Sequence, residues 1–395
     1  MNNSLNRFDY KIIKRNDGEY ILQYRKQYFE VGALIYQILF YGKSSSSLEE
    51  IMSKIERDDL TLNKLNNIIE HTILPIFRKS GKTSQQEQTE KKYWCQTKLM
   101  SSGKVKPAVD MMRPLFGKVF WPLLVIAVLL NVAFFAILPK VEFTNGVVDV
   151  TLDVLITYSL YIVILFLHEF GHIAATLKAG LNSRCVNFGM YYVLPILYVR
   201  LDDTWTLSKE WRTKINLAGI FIELLANIPI FLMVYLSPSQ SLTLMVCYTV
   251  FWMNTATLLF NLIPFLKLDG YWILSDMLNV PNLTAESNRW LRSLVVKPSP
   301  FATRTIETKG LRRMVFIGYS LLKPLFLVLF ALWFMAFLVY VSAHGYFLIT
   351  NMQYVQMDKE ALLNFLPDML IFLISILIVV RYLNLFIKTI RQRKK

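Results

Sequence analysis

Long uncharged apolar segments fill most of residues 116–390 and limit what this chain can fold into. A helix needs about 20 apolar residues to span a bilayer. Six segments meet this requirement, at 119–138, 150–177, 215–236, 242–264, 314–342 and 366–388. The chain is 54% hydrophobic, which is too apolar for an ordinary soluble globule. The sequence therefore predicts an α-helical polytopic membrane protein with about six spans.

The net charge of +15 is typical of nucleic-acid binding, but its distribution indicates another origin. If the N-terminus is cytoplasmic, the loops 178–214 and 266–313 and the C-terminal tail are cytoplasmic too. These segments carry many lysines and arginines, whereas the opposite loops hold only Lys140 and Lys359. This is the positive-inside bias of membrane proteins. We therefore expect cytoplasmic N- and C-termini, membrane lipids as partners and no nucleic acid.

The first 115 residues are more polar and show a different periodicity. Residues 8–31 alternate as three short strands, and three helical patterns follow, at Ala33–Leu39, after the predicted N-cap Ser47, and near Leu62–Phe77. This order predicts a small α+β winged-helix domain over residues 1–80. Residues 81–115 are rich in Lys, Ser, Gln and Thr and predict a linker.

Residues 185–201 lie between the second and third predicted spans. The segment is apolar and aromatic, but Gly189 and Pro195 interrupt it. It is too irregular for a further span, and non-helical backbone at membrane depth must be sheltered by protein. We therefore predict a membrane-associated β-hairpin here.

The second predicted span contains the sequence His168-Glu-Phe-Gly-His172. Residues i and i+4 share one face of a helix, so both imidazoles can reach one metal ion, and Glu169 lies beside them. Two histidines and a glutamate are costly in an apolar span unless they serve a site. Chance placement of two interior histidines is the alternative. The three cysteines, Cys95, Cys185 and Cys247, indicate neither a disulfide framework nor a cysteine-based zinc site.

A catalytic zinc ion takes three protein ligands and keeps one position open for water. Asp269 follows the fourth span, at the membrane depth that the predicted topology also gives to His168 and His172. Pro264 ends or kinks that span and Gly270 permits a sharp turn, so Asp269 can turn inward as the third ligand. The alternative is an aspartate at the interface that caps the next helix. For Glu223, Asn227 and Asn254 we predict hydrogen bonding between helices.

These motifs resemble the site-2 protease family of intramembrane zinc metalloproteases. The resemblance rests on the HExxH sequence, on Asn261-Leu-Ile-Pro264 and on Leu268-Asp-Gly270. Residues 194–205 and 218–223 resemble its branch of peptide zinc metalloproteases from bacterial peptide-maturation loci. The resemblance covers residues 116–285 and implies a three-helix metalloprotease core, followed by a cytoplasmic loop and two further spans over 286–395. It also implies the bacterial cytoplasmic (cell) membrane.

The resemblance implies a role for each motif residue. His168, His172 and Asp269 would bind Zn²⁺ and Glu169 would be the general base. Asn261 would hydrogen-bond the oxyanion of the tetrahedral intermediate, with hydrogen bonding between helices as the alternative. Leu262 stands where many relatives have a second proline. The implied activity is hydrolysis of a small ribosomally synthesised, modified peptide during maturation or secretion.

The N-terminal pattern resembles the PqqD-like peptide-recognition fold, on Asp17–Leu22, Tyr28–Val31 and Ile35–Gly42. Such domains bind a leader peptide as an added strand, so a precursor or leader peptide and a peptide exporter are expected partners. A DNA-binding winged helix is the rival, but Leu62–Phe77 carries little positive charge. Two other functions stay open: cleavage of a membrane-anchored regulator, and a non-proteolytic export or immunity protein with structural zinc.

Overall fold

The computed structural model describes residues 4–14, 18–24, 27–55, 57, 60–77, 94–139, 141, 150–191, 194–280, 282–295 and 310–351. These residues are mostly helical, with a small strand-and-helix region at the N-terminus. Internal contacts divide the chain into two units, Met1–Gly117 with His172–Ile215, and Lys118–Gly171 with Asn216–Lys395. The predicted span at 366–388 lies outside the described residues.

The N-terminal region contains the strands and helices that the sequence predicts. Its strands form one antiparallel sheet in the order β1-β2-β3, with bounds β1 Tyr10–Lys14, β2 Tyr20–Tyr24 and β3 Gln27–Val31. Three helices follow, α1 Ala33–Gly42, α2 Leu48–Ile55 and α3 Leu62–Ile68, the last continued by a π-helical turn at Ile69–Ile73. The apolar faces of sheet and helices share one core that includes Leu22, Ile38, Ile51, Leu65 and Phe77. This region therefore buries a hydrophobic core of its own.

The start of α2 has the predicted cap with one change of partner. The Ser47 hydroxyl accepts a hydrogen bond from the Glu50 amide at 3.3 Å. The Glu50 carboxylate accepts from the Ser46 amide at 2.9 Å rather than from Ser47 itself. The Lys54 ammonium also donates to this carboxylate, and it lowers the pKa of Glu50 to about 2. The backbone amides at the start of this helix are thus hydrogen-bonded by side chains that are close in sequence.

A second antiparallel sheet corrects the linker prediction. The predicted hairpin is present as β5 Val186–Tyr191 and β6 Leu194–Val199. A third strand, β4 Trp94–Met100, pairs with β5, and the helix α4 Ser102–Met112 follows it. Both elements lie within the segment for which the sequence predicts a linker. Because β4 pairs with residues about ninety positions later, no local pattern indicates its partner.

Within the part of the chain that the structure describes, five helices are long and apolar enough to cross a bilayer. They are α5 Phe120–Ile137, α6 Val150–Lys178, α7 Lys209–Leu236, α8 Leu242–Asn261 and α11 Leu311–Asn351. Two shorter helices, α9 Asp269–Leu278 and α10 Leu283–Val295, lie between α8 and α11. These five spans correspond to the first five predicted segments, and they make the chain a membrane protein.

Candidate metal centre

The HExxH residues lie in the last third of α6, where the helix is most buried. His168 is 7% exposed and His172 is 4% exposed, so both imidazoles are withdrawn from solvent and lipid. The two residues are one helical turn apart and share a face. Glu169 is buried beside them. Such burial is unfavourable for polar groups unless each has a partner.

Both histidines are oriented through the same ring nitrogen. His168 Nδ1 lies 2.9 Å from Glu223 Oε1, and His172 Nδ1 lies 2.7 Å from the carbonyl oxygen of Ile215. Both partners are acceptors, so each Nδ1 carries the donated proton and each Nε2 is the ring nitrogen that would bind a metal ion. A histidine that ligates a metal is usually held in this way. This arrangement makes the Nε2 atoms of His168 and His172 the candidate metal ligands.

Asp269 begins α9 and reaches the same point. Its Oδ2 lies 3.2 Å from His168 Nε2, and one ligand atom from each of His168, His172 and Asp269 lies within 4.8 Å of the other two. Ligand atoms about 2.0–2.2 Å from a tetrahedral zinc are roughly 3.3–3.5 Å apart. The three side chains therefore fit one zinc ion, and their donor set of two imidazoles and a carboxylate suits a catalytic zinc site.

Two glycines allow the backbone to approach closely here. A Cβ built at Gly219 of α7 would overlap the imidazole ring of His168. A Cβ built at Gly270 would overlap the carbonyl of Leu262, which lies just after α8. Any side chain at either position would force His168 or Asp269 away from its observed place. These glycines therefore set the distances on which the site depends.

Glu223 is completely buried in α7 and interacts with two helices besides its own. Its Oε1 accepts from His168, and the Asn261 amide donates to the same oxygen at 3.4 Å. The Asn254 amide donates to the Glu223 carbonyl oxygen at 2.9 Å. Asn261 thus makes a hydrogen bond between helices, which was the alternative to an oxyanion role. Its contact with an oxyanion stays a prediction.

A chain of amides continues from Asn254 through the interior of the membrane region. The Asn254 amide donates to Asn227 at 2.7 Å, and the Asn227 amide donates to Asn131 of α5 at 2.8 Å. Asn131 in turn donates to the carbonyl oxygens of Ala127 and Leu224. The predicted role of Glu223, Asn227 and Asn254 in hydrogen bonding between helices is confirmed. These bonds join α5, α7 and α8 around the site.

Sequence reasoning found the three candidate ligands and the candidate base, and the structure brings the three ligands together. Their binding of zinc and the role of Glu169 stay predictions. Three contributors were missed: the pairing of Glu223 with His168, the Ile215 carbonyl and the close approach at Gly219. The sequence carried a signal for Glu223, since an unpaired carboxylate is rare in a span. No sequence pattern indicated that the backbone carbonyl of Ile215 would orient His172.

The described residues define an α-helical membrane protein in which two buried histidines and a partly buried aspartate form a cluster that fits zinc. Over 134 residues the chain is 36% identical to a protein of Bacillus subtilis (strain 168) named "Putative peptide zinc metalloprotease protein YydH", and the match covers 33% of this chain. The chain spans about half of that relative, 51% of its length. No protein-family model matches the chain. No solved structure matches it either.

Proposed function

We propose that this protein is an intramembrane zinc metalloprotease that hydrolyses a peptide bond. The observation that carries the proposal is the convergence of His168 and His172, from the spanning helix α6, with Asp269 at the start of α9. Glu169 is buried next to His168 in the same helix. The name of the Bacillus subtilis relative contains the words "peptide zinc metalloprotease", which supports the proposal. The resemblance of this chain's own motifs to the site-2 protease family also supports the proposal.

The residues divide into ligands, base and positioning groups. His168, His172 and Asp269 would hold zinc, which supplies a Lewis acid that polarises a peptide carbonyl and acidifies water. Glu169 would accept the proton from the attacking water and pass it to the leaving amine. Glu223 and the Ile215 carbonyl orient the two imidazoles. Asn261 would donate to the developing oxyanion after release from Glu223, a bond that is long at 3.4 Å.

The substrate we propose is a small ribosomally synthesised, modified peptide, cleaved during its maturation or secretion. Residues 1–80 would bind its leader as an added strand. The sheet order β1-β2-β3 supports this, because among the described residues β3 pairs only with β2 and its other edge can accept a strand. A captured peptide would then be delivered to the zinc site in the bacterial cell membrane.

Cleavage of candidate precursor peptides by the purified full-length protein tests the proposal. The products are identified by mass spectrometry, before and after zinc is removed with a chelator and restored. We expect cleavage by the wild type and none by Glu169→Gln. Equal cleavage by both would exclude this site as the protease centre. Cleavage of membrane-anchored regulators with no activity on peptides would favour the site-2 alternative.

A further inference from the structure

A hydrogen bond joins α7 to α9, the short helix that begins with the proposed ligand Asp269. The side-chain amide of Asn216 in α7 donates to Oδ2 of Asp276 in α9, and these two atoms are 2.7 Å apart. Asp276 is only 4% exposed. A buried carboxylate is unfavourable unless it is hydrogen-bonded, so this contact constrains where Asp276 lies. Neither Asn216 nor Asp276 is a proposed ligand or base, so the contact requires an explanation of its own.

Asn216 belongs to the face of α7 that contacts the proposed zinc site. Residues three and seven positions further along a helix return to nearly the same face, and for Asn216 these are Gly219 and Glu223. Gly219 lies against the His168 ring, and Glu223 is hydrogen-bonded to that ring. The same face of α7 therefore positions His168 at two points and contacts α9 at a third.

Asp269 and Asp276 also share a face, because seven residues make nearly two turns of α9. A bond that fixes Asp276 therefore fixes the rotation of α9 about its own axis, and with it the direction in which Asp269 points. Side-chain atoms lie about 5–6 Å from a helix axis, so a rotation of about 20° would move the Asp269 carboxylate by about 2 Å. This displacement is about the length of a zinc–oxygen bond. Ligation by Asp269 would thus depend on the rotation of α9.

The other contacts of α9 lie away from this face. Gly270 lies close to the end of α8 and sets the place where α9 begins. The Tyr271 hydroxyl accepts from the Thr284 amide of α10 at 3.1 Å, and the Ser275 hydroxyl donates to the Val280 carbonyl oxygen at 2.7 Å. These two bonds hold the turn between α9 and α10. The bond from α7, in contrast, acts on the face that carries Asp269.

We propose that Asn216 and Asp276 are positioning residues that direct Asp269 at the zinc ion. The proposal rests on the zinc site of the proposed function, and it concerns metal binding rather than the hydrolytic step. A neutral amide suits this role, because it holds a buried carboxylate without adding a positive charge near the metal. With this bond, α7 orients all three ligands through the Glu223 carboxylate, the Ile215 carbonyl and the Asn216 amide.

The zinc affinity of the full-length protein, measured by competition with a chromogenic chelator, tests the proposal. Asn216→Leu keeps the size of the side chain but removes the donor, so zinc binding should weaken about tenfold, the lower end of the effect of losing a ligand's direct partner. The double variant Asn216→Asp with Asp276→Asn exchanges donor and acceptor and keeps the bond, so it should bind zinc nearly as tightly as the wild type. The visible spectrum of bound cobalt(II) reports the coordination geometry. It should change in Asn216→Leu and return in the double variant.

Ser275→Ala is the matched control, because Ser275 is buried next to Asp276 but its hydrogen bond lies within the turn after α9. This variant should lower the melting temperature and leave the zinc affinity and the cobalt spectrum unchanged. An equal loss of affinity in Ser275→Ala would mean that any weakening of α9 disturbs the site. Wild-type affinity in Asn216→Leu, or a double variant as weak as Asn216→Leu, would mean that this bond does not direct Asp269. Each of these results overturns the proposal, whereas a wild-type protein that binds no zinc would refute the metal centre and the proposed function themselves.

Discussion

Glu223 and His168 are joined across two spanning helices, with 2.9 Å between Oε1 and Nδ1. The carboxylate is completely buried, and within the described residues its second oxygen has no hydrogen-bond partner. A carboxylate in this position is costly in a membrane, so it requires a compensating role. We assign that role to the orientation of His168, which makes Glu223 a positioning residue rather than a ligand.

Glu223→Ala should weaken zinc binding about 10–100-fold, the usual effect of losing the partner of a ligating histidine. Glu223→Gln keeps an acceptor oxygen without the charge and should lose less. Competition with a chromogenic chelator measures both affinities. Glu210→Ala is the control, because Glu210 lies exposed on the same helix and its carboxylate pairs with Lys214 rather than with a histidine. A Glu223→Ala protein that binds zinc like the wild type would refute the positioning role.

Glu169→Gln should keep zinc and lose peptide hydrolysis, because glutamine preserves the shape of the side chain but cannot accept a proton. His172→Ala and Asp269→Ala should lose the metal together with the activity. Metal analysis and a cleavage assay on the same preparations distinguish the two patterns. Full activity in Glu169→Gln would contradict the assignment of the base.

Gly219→Ala should disrupt the metal site although it adds only one methyl group. That methyl would overlap the His168 ring, so α7 must shift or the imidazole must turn away. Gly318→Ala is the matched control in α11, since a Cβ there meets nothing within 4 Å. It should be neutral or stabilise the helix by up to about 1 kcal/mol. Zinc content and melting temperature of the two variants test this, and wild-type zinc binding by Gly219→Ala would argue against the packing observed here.

The features that local periodicity determines could be predicted from the sequence. The strands and helices of residues 8–77 follow alternation and capping patterns, and the HExxH spacing places two histidines on one face. What it did not predict depends on pairing between distant residues. The strand β4 is defined by β5, and the role of Glu223 is defined by His168, which is 55 residues away. A single sequence carries no pattern for such contacts, although the cost of a carboxylate in a span marks Glu223 as unusual.

The orientation of the chain is a separate prediction from its lysine and arginine distribution. In a background without the native cysteines, single cysteines are introduced at Ser101, Ser239 and Asn351. A membrane-impermeant maleimide should label the second and third from outside intact cells and leave the first protected. Labelling of all three after lysis shows that each is accessible. An external signal at Ser101 would invert the topology and place the zinc site near the opposite face.

The N-terminal region should contribute to substrate capture rather than to chemistry. Deletion of residues 1–80 removes β1 to β3 and α1 to α3 but keeps β4 and every proposed zinc ligand. Such a variant should keep zinc and cleave a short peptide without a leader as the wild type does. On the natural precursor the KM should rise with little change in kcat, because tethering raises the local peptide concentration and not the rate of hydrolysis.

The strand β4 provides the control for this truncation. A longer deletion, of residues 1–101, also removes β4 and exposes the edge of β5 to which it is paired. Unpaired edges are prone to association, so this variant should lose stability where the shorter one does not. Melting temperatures and size-exclusion profiles compare the two. If the shorter deletion processes the natural precursor as well as the full-length protein, residues 1–80 do not recruit the substrate. If an isolated 1–80 fragment binds DNA but no precursor peptide, the region belongs to a membrane-tethered regulator instead.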